Sequence, residues 1–457
     1  MDNLDICGIL QPVWFSSKAT LIVRSELFKR PGEPLAFFIA FLKAQRKKYI
    51  LSFTEFAFHP QINAGIRAAG YTTPTPIQRQ SIQPILDGRD LFGLAQTGTG
   101  KTAAFALPML QHLLTGPRRK LRALIVSPTR ELSEQTHVAI SGLARQTGLR
   151  SLTLYGGVSP QPQIKGLKAG AEIAVACPGR LLDLYGQGLV NLNAVEIVVL
   201  DEADQMLDMG FLPDIRRILK ALPAQRQTLL FSATMPPEIH ALATEITRNP
   251  VTVEFGDSRP VETVSHCIYP VETTRKTDLL LHLLKQTGDG QVLIFTRTKH
   301  RAKKLAQQLV NAGLPATSLQ GNLSQNRRQE AMENFRSGQA RVMVATDIAA
   351  RGIDVSQITH VINYDMPSTP EFYTHRIGRT GRMERFGAAL TLVTAEDAPM
   401  VRTIERLLGS PLERRKLDGY TVDFPAAASA AMPERRTQRP NPRHSARRPA
   451  ARRFHPA

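Results

Sequence analysis

Cysteine is scarce in this chain. Its 457 residues include three, Cys7, Cys177 and Cys267, isolated from one another, which excludes a disulfide framework and the paired spacing of a zinc site. Long apolar runs are missing too: "PLAFFIAFL" (34 to 42) is about half of the ~20 residues that a membrane helix needs, and no small-residue cleavage signature follows it. These absences imply a soluble, cytoplasmic protein. Acidic residues are the third shortage, 39 against 58 Lys and Arg, giving a formal charge of +19 and a pI near 10.2. A polyanionic partner is the expectation from that balance; a generally basic surface is the blander alternative.

The charge is not evenly spread. Residues 433 to 457 hold eight arginines against the single acid Glu434, so +7 of the +19 lies in one tail. Rich in Pro and Ala and poor in large apolar residues, this tail cannot bury a core, and it reads as a disordered nucleic-acid arm or a solubilising tail. Residues 1 to 50 carry no persistent helical period, and there is no Met between Met1 and Met109. Ordered sequence begins abruptly at "SFTEFAFHPQINAGIRAAGY", so we expect translation to start at position 51 from a non-AUG codon.

From residue 51 the pattern alternates. The β-branched runs "LIVSPTR", "EIAVACPGR", "EIVVLDEAD" and "TLLFSAT" are separated by helix-like segments, and a second series follows with "QVLIFTRT", "RVMVATD", "HVINYDMP" and "AALTLVT". This is the signature of βαβ units with parallel sheets. Two α/β domains in tandem are predicted, 51–254 and 265–420, joined by a Gly-, Pro- and charge-bearing linker over 255–264 and followed by the tail, 421–457. In such sheets ligands gather outside the carboxyl ends of the strands, where the unusual clusters of this sequence fall.

The most specific cluster is "AQTGTGKT" (95 to 102), between a strand-like and a helix-like segment. Gly98 and Gly100 allow backbone N–H groups to turn inward around Thr99, Lys101 supplies a cation for β and γ phosphates, and the Thr102 hydroxyl can reach Mg²⁺. The pattern opens on Ala95 rather than Gly. A second cluster, "VVLDEADQML" (198 to 207), ends an apolar strand in three carboxylates within four residues, which is costly unless a cation or several donors meet them. With a Mg-nucleotide on Lys101 and Thr102, Asp201 can hold the metal through water and Glu202 can take a proton from the attacking water. Read alone, the same acids could be a solvated helix start.

Joined, these motifs resemble those of the DEAD-box RNA helicases, and the resemblance runs from about Phe53 to Tyr420. It implies two tandem RecA-like domains, ATP and Mg²⁺ as cofactors, and RNA as the partner. "GYTTPTPIQ" (70 to 78) is similar to the family's Q motif, which implies that Gln78 reads adenine through its amide while the upstream Phe53 stacks on it. "PTREL" (128 to 132), Gly156-Gly157 and "CPGR" (177 to 180) resemble the first domain's RNA-binding elements, so Pro128, Thr129, Arg130, Gly157, Gly179 and Arg180 are implied to touch RNA. The last motif departs from the usual Thr-Pro-Gly-Arg, since Cys177 takes the place of the Thr hydroxyl. "SAT" (232 to 234) is similar to the motif coupling the carboxylates to the RNA side through Ser232 and Thr234.

In the second domain "VLIFTRTK" (292 to 299), "QGNLSQNRRQEAM" (320 to 332), "VATDIAARGID" (344 to 354) and "YTHRIGRTGR" (373 to 382) match the later motifs, with Gln320 where His is usual. The resemblance implies RNA contacts from Gly321, Thr346, Arg351 and Gly352 and a ribose contact from Asp354. It also implies that His375 bridges the domains, that Arg376 organises its motif, and that Arg379 and Arg382 are the arginine fingers. A finger contributes about 10³ to 10⁵ in rate. The implied activity is RNA-stimulated ATP hydrolysis with local separation of short duplexes or remodelling of RNA–protein complexes, without sequence preference. The short "SF" start, "LIFTRTKH" and the basic tail resemble the bacterial RhlE-type branch, which implies partners in ribosome assembly or RNA decay. An ATP-gated RNA clamp or annealing platform with little turnover, and a DNA-directed helicase, are the alternatives.

Overall fold

A computed structural model describes residues 52–95, 98–255, 264–350, 357–381 and 387–417. They fall into two units, each built on its own sheet. The first unit contains β1 (Leu91–Ala95), β2 (Ala123–Val126), β3 (Ser151–Leu154), β4 (Ile173–Ala176), β5 (Ile197–Leu200), β6 (Gln227–Ser232) and β7 (Val251–Phe255). All pairs are parallel, in the order β3-β4-β2-β5-β6-β1-β7. Parallel strands buried on both faces need unbroken apolar runs, and β5 shows why: Ile197 and Val199 enter one core layer while Val198 and Leu200 enter the other. Each fully buried aliphatic side chain of this kind contributes about 1.5–3 kcal/mol.

The second unit contains β8 (Val264–Pro270), β9 (Gln291–Phe295), β10 (Ala316–Leu319), β11 (Val342–Ala345), β12 (Ile358–Asn363), β13 (Gly387–Val393) and β14 (Glu413–Arg414). Its order is β10-β11-β9-β12-β13-β8-β14, again parallel throughout. The linker expected over 255–264 is narrower than its composition suggested, because β7 includes Phe255 and β8 begins at Val264. The predicted N-terminal extension, the rest of the linker, Tyr420 and the tail lie outside the described residues. No helix among the described residues is long and apolar enough to cross a membrane.

The two ends of the first sheet differ in character. At the amino ends, the residue immediately before each strand reads, in spatial order from β3 to β1, Arg150, Glu172, Arg122, Glu196, Arg226 and Asp90. Signs alternate strand by strand, and the acids hold their neighbours. Glu172 accepts the Arg119 and Arg150 N–H groups at 3.0 Å each, Glu196 takes Arg122 in a two-point pair at 2.6 and 2.9 Å, and Asp90 accepts the Thr228 N–H at 2.8 Å. The carboxyl ends carry the candidate site.

Candidate functional site

The glycine loop follows β1 and ends in Gly100, which caps the helix Lys101–Leu113 with a left-handed backbone, φ 92°. Only glycine fits here: besides the backbone conformation, a Cβ would meet the Gln78 Nε2 at 2.5 Å. Gln78 is buried and doubly engaged. Its Oε1 accepts the Thr75 N–H at 2.8 Å, closing a capping box on the helix Pro76–Leu86, and its Nε2 donates to the Gly100 carbonyl at 3.0 Å. An amide has two acceptor sites and two N–H donors, so one of each remains for the edge of a base. Gly98 is exposed at φ 87°, with Thr99 and Thr102 half-buried beside it; Gln96 and Thr97 lie outside the described residues.

Phe53 is buried, with only 4% of its surface exposed, and stacks on Tyr71 at 6.1 Å between ring centroids and 24° between planes. Tyr71 is 38% exposed. The ring of this pair that is open to a ligand is therefore Tyr71, with Phe53 behind it. Sequence reasoning missed Tyr71 because an aromatic after Gly70 looks like ordinary helix-end packing.

The three carboxylates separate into two environments. Lys101 and Asp201 are buried, and neither Lys101 Nζ nor Asp201 Oδ1 has a hydrogen-bond partner among the described residues. Burial pushes Asp201 up to about 6, with the Lys101 charge opposing and the Glu202 charge adding to it. A cation placed there would return it to the carboxylate form, so the donor set fits Mg²⁺. Glu202, also buried, adopts the left-handed region at φ 54° and caps the short helix Ala203–Asp208, a conformation that costs a non-glycine residue about 1–3 kcal/mol.

Asp204, the third acid, is satisfied by protein. Its Oδ2 accepts from the Ala233 N–H at 3.1 Å, the Thr234 N–H at 3.0 Å and the Thr234 hydroxyl at 3.1 Å, and its Oδ1 from the Gln205 N–H at 3.0 Å. The Ser232 hydroxyl accepts the Asp204 N–H at 3.3 Å and donates to the Thr234 carbonyl at 2.7 Å. Ser232 and Thr234 are thus wired to the carboxylate motif through Asp204, a residue given no role from sequence although it stood in the motif.

Two of the first unit's arginines implied to touch RNA, Arg130 and Arg180, reach the loop after β3. Thr129 caps the helix Arg130–Leu143, accepting the Leu132 N–H at 3.2 Å, and Pro128 precedes it. Arg130 covers Gly157, whose φ is 79°; a Cβ there would overlap the guanidinium. Arg180 reaches the same loop, donating to the Val158 carbonyl at 3.3 Å and to Gln163 Oε1 at 3.2 Å. Gly179 lies in the first turn of the helix Pro178–Gly186. Cys177 precedes that helix without capping it through its side chain, and its Sγ lies 3.5 Å from the Ser133 hydroxyl. Burial pushes the Cys177 thiol up to about 11.

In the second unit Arg376 is 2% exposed and holds its surroundings together. It pairs with both Asp347 oxygens at 2.5 and 2.8 Å, donates to Asn363 Oδ1 at 3.1 Å and to the Asp365 carbonyl at 2.7 Å, and lies 5.1 Å from the Phe295 ring centre. His375 meets Phe372 edge-on, and Arg379 is buried at 5% exposure. Thr346 is half-buried just after β11. Gly321 is exposed, and a Cβ added there would have nothing within 4 Å, so no close backbone approach demands glycine at this position. Gln320 is buried and its Oε1 accepts the Asn322 N–H at 2.7 Å, which shapes the loop. Arg351, Gly352, Asp354 and Arg382 lie outside the described residues.

Comparison with known proteins gives two family matches, a DEAD/DEAH box helicase over residues 75–242 and a helicase conserved C-terminal domain over 275–384. The chain is 41% identical over 358 residues to the ATP-dependent RNA helicase CshA of Limosilactobacillus reuteri, covering 78% of this chain and 72% of that one. It is 43% identical over 363 residues to DEAD-box ATP-dependent RNA helicase 30 of Arabidopsis thaliana, covering 78% and 61%. Among solved structures, S. cerevisiae Dbp5 bound to RNA and ADP BeF3 matches with a TM-score of 0.72 and 31% identity, over 80% of this chain and 96% of that one. The two parallel sheets are those of tandem RecA-like domains.

Proposed function

The chain belongs to the DEAD-box ATP-dependent RNA helicases, and on that premise we propose that it hydrolyses ATP in an RNA-stimulated manner to open short duplexes or remodel RNA–protein complexes. The observation that carries this reading is the buried pair of Lys101, at the helix start that follows the glycine loop, and Asp201, directly after β5, each with a polar atom that has no hydrogen-bond partner among the described residues. Such groups are stable only if a ligand completes them. Lys101 would meet the β and γ phosphates, Thr102 and Asp201 would hold Mg²⁺, partly through water, and Glu202 would accept the proton of the attacking water. Bound Mg²⁺ would neutralise charge on the phosphate oxygens. Tyr71, backed by Phe53, would stack on adenine, and the spare donor and acceptor of Gln78 would read its edge.

RNA is proposed to lie across Arg130, Gly157, Gly179 and Arg180 in the first domain and Gly321, Thr346, Arg351 and Gly352 in the second. These offer N–H groups, hydroxyls and guanidinium ions rather than base-reading side chains, which supports binding to phosphate and sugar without sequence preference. Arg379 and Arg382 would stabilise the transferring phosphoryl group, Asp354 would bind the ribose, and His375 would bridge the domains. Neither half would then turn over ATP alone, and RNA and ATP would each raise the affinity for the other. Asp204 couples this chemistry to Ser232 and Thr234. The RhlE-type branch, a cytoplasmic setting and partners in ribosome assembly or RNA decay remain proposals carried by the sequence features; the CshA and helicase 30 relatives do not select that branch.

Steady-state ATPase with and without single-stranded RNA, with DNA as comparator and Glu202→Gln as control, tests this reading. Strong stimulation by RNA alone, abolished in the variant, is the expected result. Tight RNA binding with negligible turnover would establish the clamp instead, and equal stimulation by DNA would overturn the RNA assignment.

A further inference from the structure

At the amino ends of the first sheet, a cavity of about 280 Å³ opens between the last turns of the helices Leu212–Ala221 and Pro237–Ile246 and the starts of β1 and β6. Its charged lining is Arg216, Lys220, Arg226 and Arg248 against Asp90 and Glu245. Both carboxylates are committed. Asp90 accepts the Thr228 N–H at 2.8 Å and the Arg248 N–H at 2.7 Å, and Glu245 pairs with Arg216 at 3.2 Å.

Asp90 lies near enough to act electrostatically on Arg226, but none of the remaining cations forms an ion pair within 4 Å among the described residues. Arg226 gives Nη1 to the Pro223 and Leu219 carbonyls at 2.8 and 3.4 Å, while its Nε is buried with no partner among the described residues. Arg248 gives Nη2 to the Ala224 carbonyl at 3.0 Å, and Lys220 is exposed with no ion pair among the described residues. Glu196, the acid next to Arg226 in the alternating row, is already held by Arg122 and by His112 at 2.7 Å. Burial pulls Arg226 below the ordinary guanidinium range, Asp90 opposing and Arg248 adding to the effect.

We propose that this cavity is a second anion site, distinct from the nucleotide loop, which takes a small phosphate-class oxyanion through Arg226, Lys220 and Arg248. Guanidinium groups match the geometry of a tetrahedral oxyanion, and an ammonium at the rim adds a point charge. The volume lies just under the ~300–1,000 Å³ of pockets that enclose drug-sized ligands, which suits a small anion. An acceptor on Arg226 Nε would satisfy a buried donor that the fold leaves open. The site lies beyond the β1 and β6 amino ends, whereas the nucleotide loop follows the β1 carboxyl end, so its occupancy is separable from ATP binding.

The test is a thermal-shift titration of the full chain with inorganic phosphate, against chloride at equal ionic strength. It is run in a Lys101→Gln background so that the nucleotide loop contributes least. A saturable rise in melting temperature is expected, with the apparent Kd raised at least about tenfold by adding Arg226→Gln or Lys220→Gln, a loss of about 1.4 kcal/mol. Lys220 is exposed, so its variant keeps the test valid if Arg226→Gln disturbs folding. A parallel titration with UMP separates the sources: a response to phosphate alone identifies a free anion, and a response to both identifies a phosphomonoester end. RNA-stimulated ATPase in the single Arg226→Gln variant should be unchanged. A phosphate response no larger than that to chloride, or one that survives both substitutions, would overturn the proposal.

Discussion

Gln78 Nε2 donates to the carbonyl of Gly100 at 3.0 Å, joining the residue proposed to read the base to the loop proposed to hold the phosphates. The proposed base recognition and the loop geometry would therefore share one amide. In Gln78→Glu the capping acceptor for Thr75 is kept and the donor to Gly100 is lost. A net hydrogen bond is worth about 0.5–1.5 kcal/mol, so KM for ATP should rise by about three- to tenfold, with discrimination against GTP relaxed. Steady-state kinetics with both nucleotides measures it; unchanged KM and selectivity would contradict the link.

Gly157→Ala should weaken RNA binding without touching ATP affinity. The added Cβ would overlap the Arg130 guanidinium, and φ 79° disfavours any side chain. Arg130 must move, so RNA affinity at low salt should drop by about tenfold, as for the loss of a charge-assisted contact. Fluorescence anisotropy with labelled RNA, beside nucleotide titration without RNA, separates the two effects.

Cys177 leaves the helix Pro178–Gly186 without a side-chain cap, and a threonine can supply one. Cys177→Thr should stabilise the protein by about 0.5–2 kcal/mol. Calorimetry of the first transition checks this, and no increase would show that the Ser133 contact of the thiol already compensates.

Desolvation also works against both thiolates, with Cys267 buried and Cys177 half-buried, so both thiols should react slowly. Cys177 and Cys267 are both pushed up to about 11, so each is almost wholly protonated at pH 8, and reactivity should grow only as pH approaches 11. Thiol labelling of native protein in a Cys7→Ser background should be slow at pH 8 and become rapid on unfolding. Rapid labelling of the native form at pH 8 would contradict the burial.

Arg376→Ala should destabilise the second unit by about 3 kcal/mol or more, because Asp347, Asn363 and the Asp365 carbonyl lose their shared donor in a buried setting. Arg376→Lys should recover only part of this, since an ammonium cannot span both Asp347 oxygens. Denaturant unfolding of the two variants decides it.

The fold was legible where burial dictates composition. β2, β4, β5 and β11 are apolar throughout, and β9 is apolar after Gln291, because both faces are covered, and the alternation with helical segments points to their class. The edge strands β3, "SLTL", and β10, "ATSL", were not seen; half-exposed and rich in hydroxyls, they resemble loops. At the site, the glycine loop and Asp201 with Glu202 stood out in sequence because the phosphate and metal chemistry proposed for them admits few residue types. Asp204 was not, since its partners, Ala233 and Thr234, lie 29 and 30 residues away and meet it only across neighbouring strand ends. The depth of Phe53 was likewise invisible, because sequence does not show how far an aromatic side chain is buried.

The alternating row before the strands of the first sheet has a consequence for how the chain finds its strand order. Parallel neighbours there come from distant sequence: β1 sits beside β6, and β2 lies between β4 and β5. Misassembly that set β5 beside β1 would bring Glu196 against Asp90, and one that set β2 beside β6 would bring Arg122 against Arg226. Each of these meetings would pair a buried member, Asp90 or Arg122, with a half-buried one, Glu196 or Arg226, so water would screen them only in part. The native order gives every one of these charges an opposite neighbour. The end of the sheet away from the glycine loop thus favours the native strand order electrostatically over the two shuffled ones named.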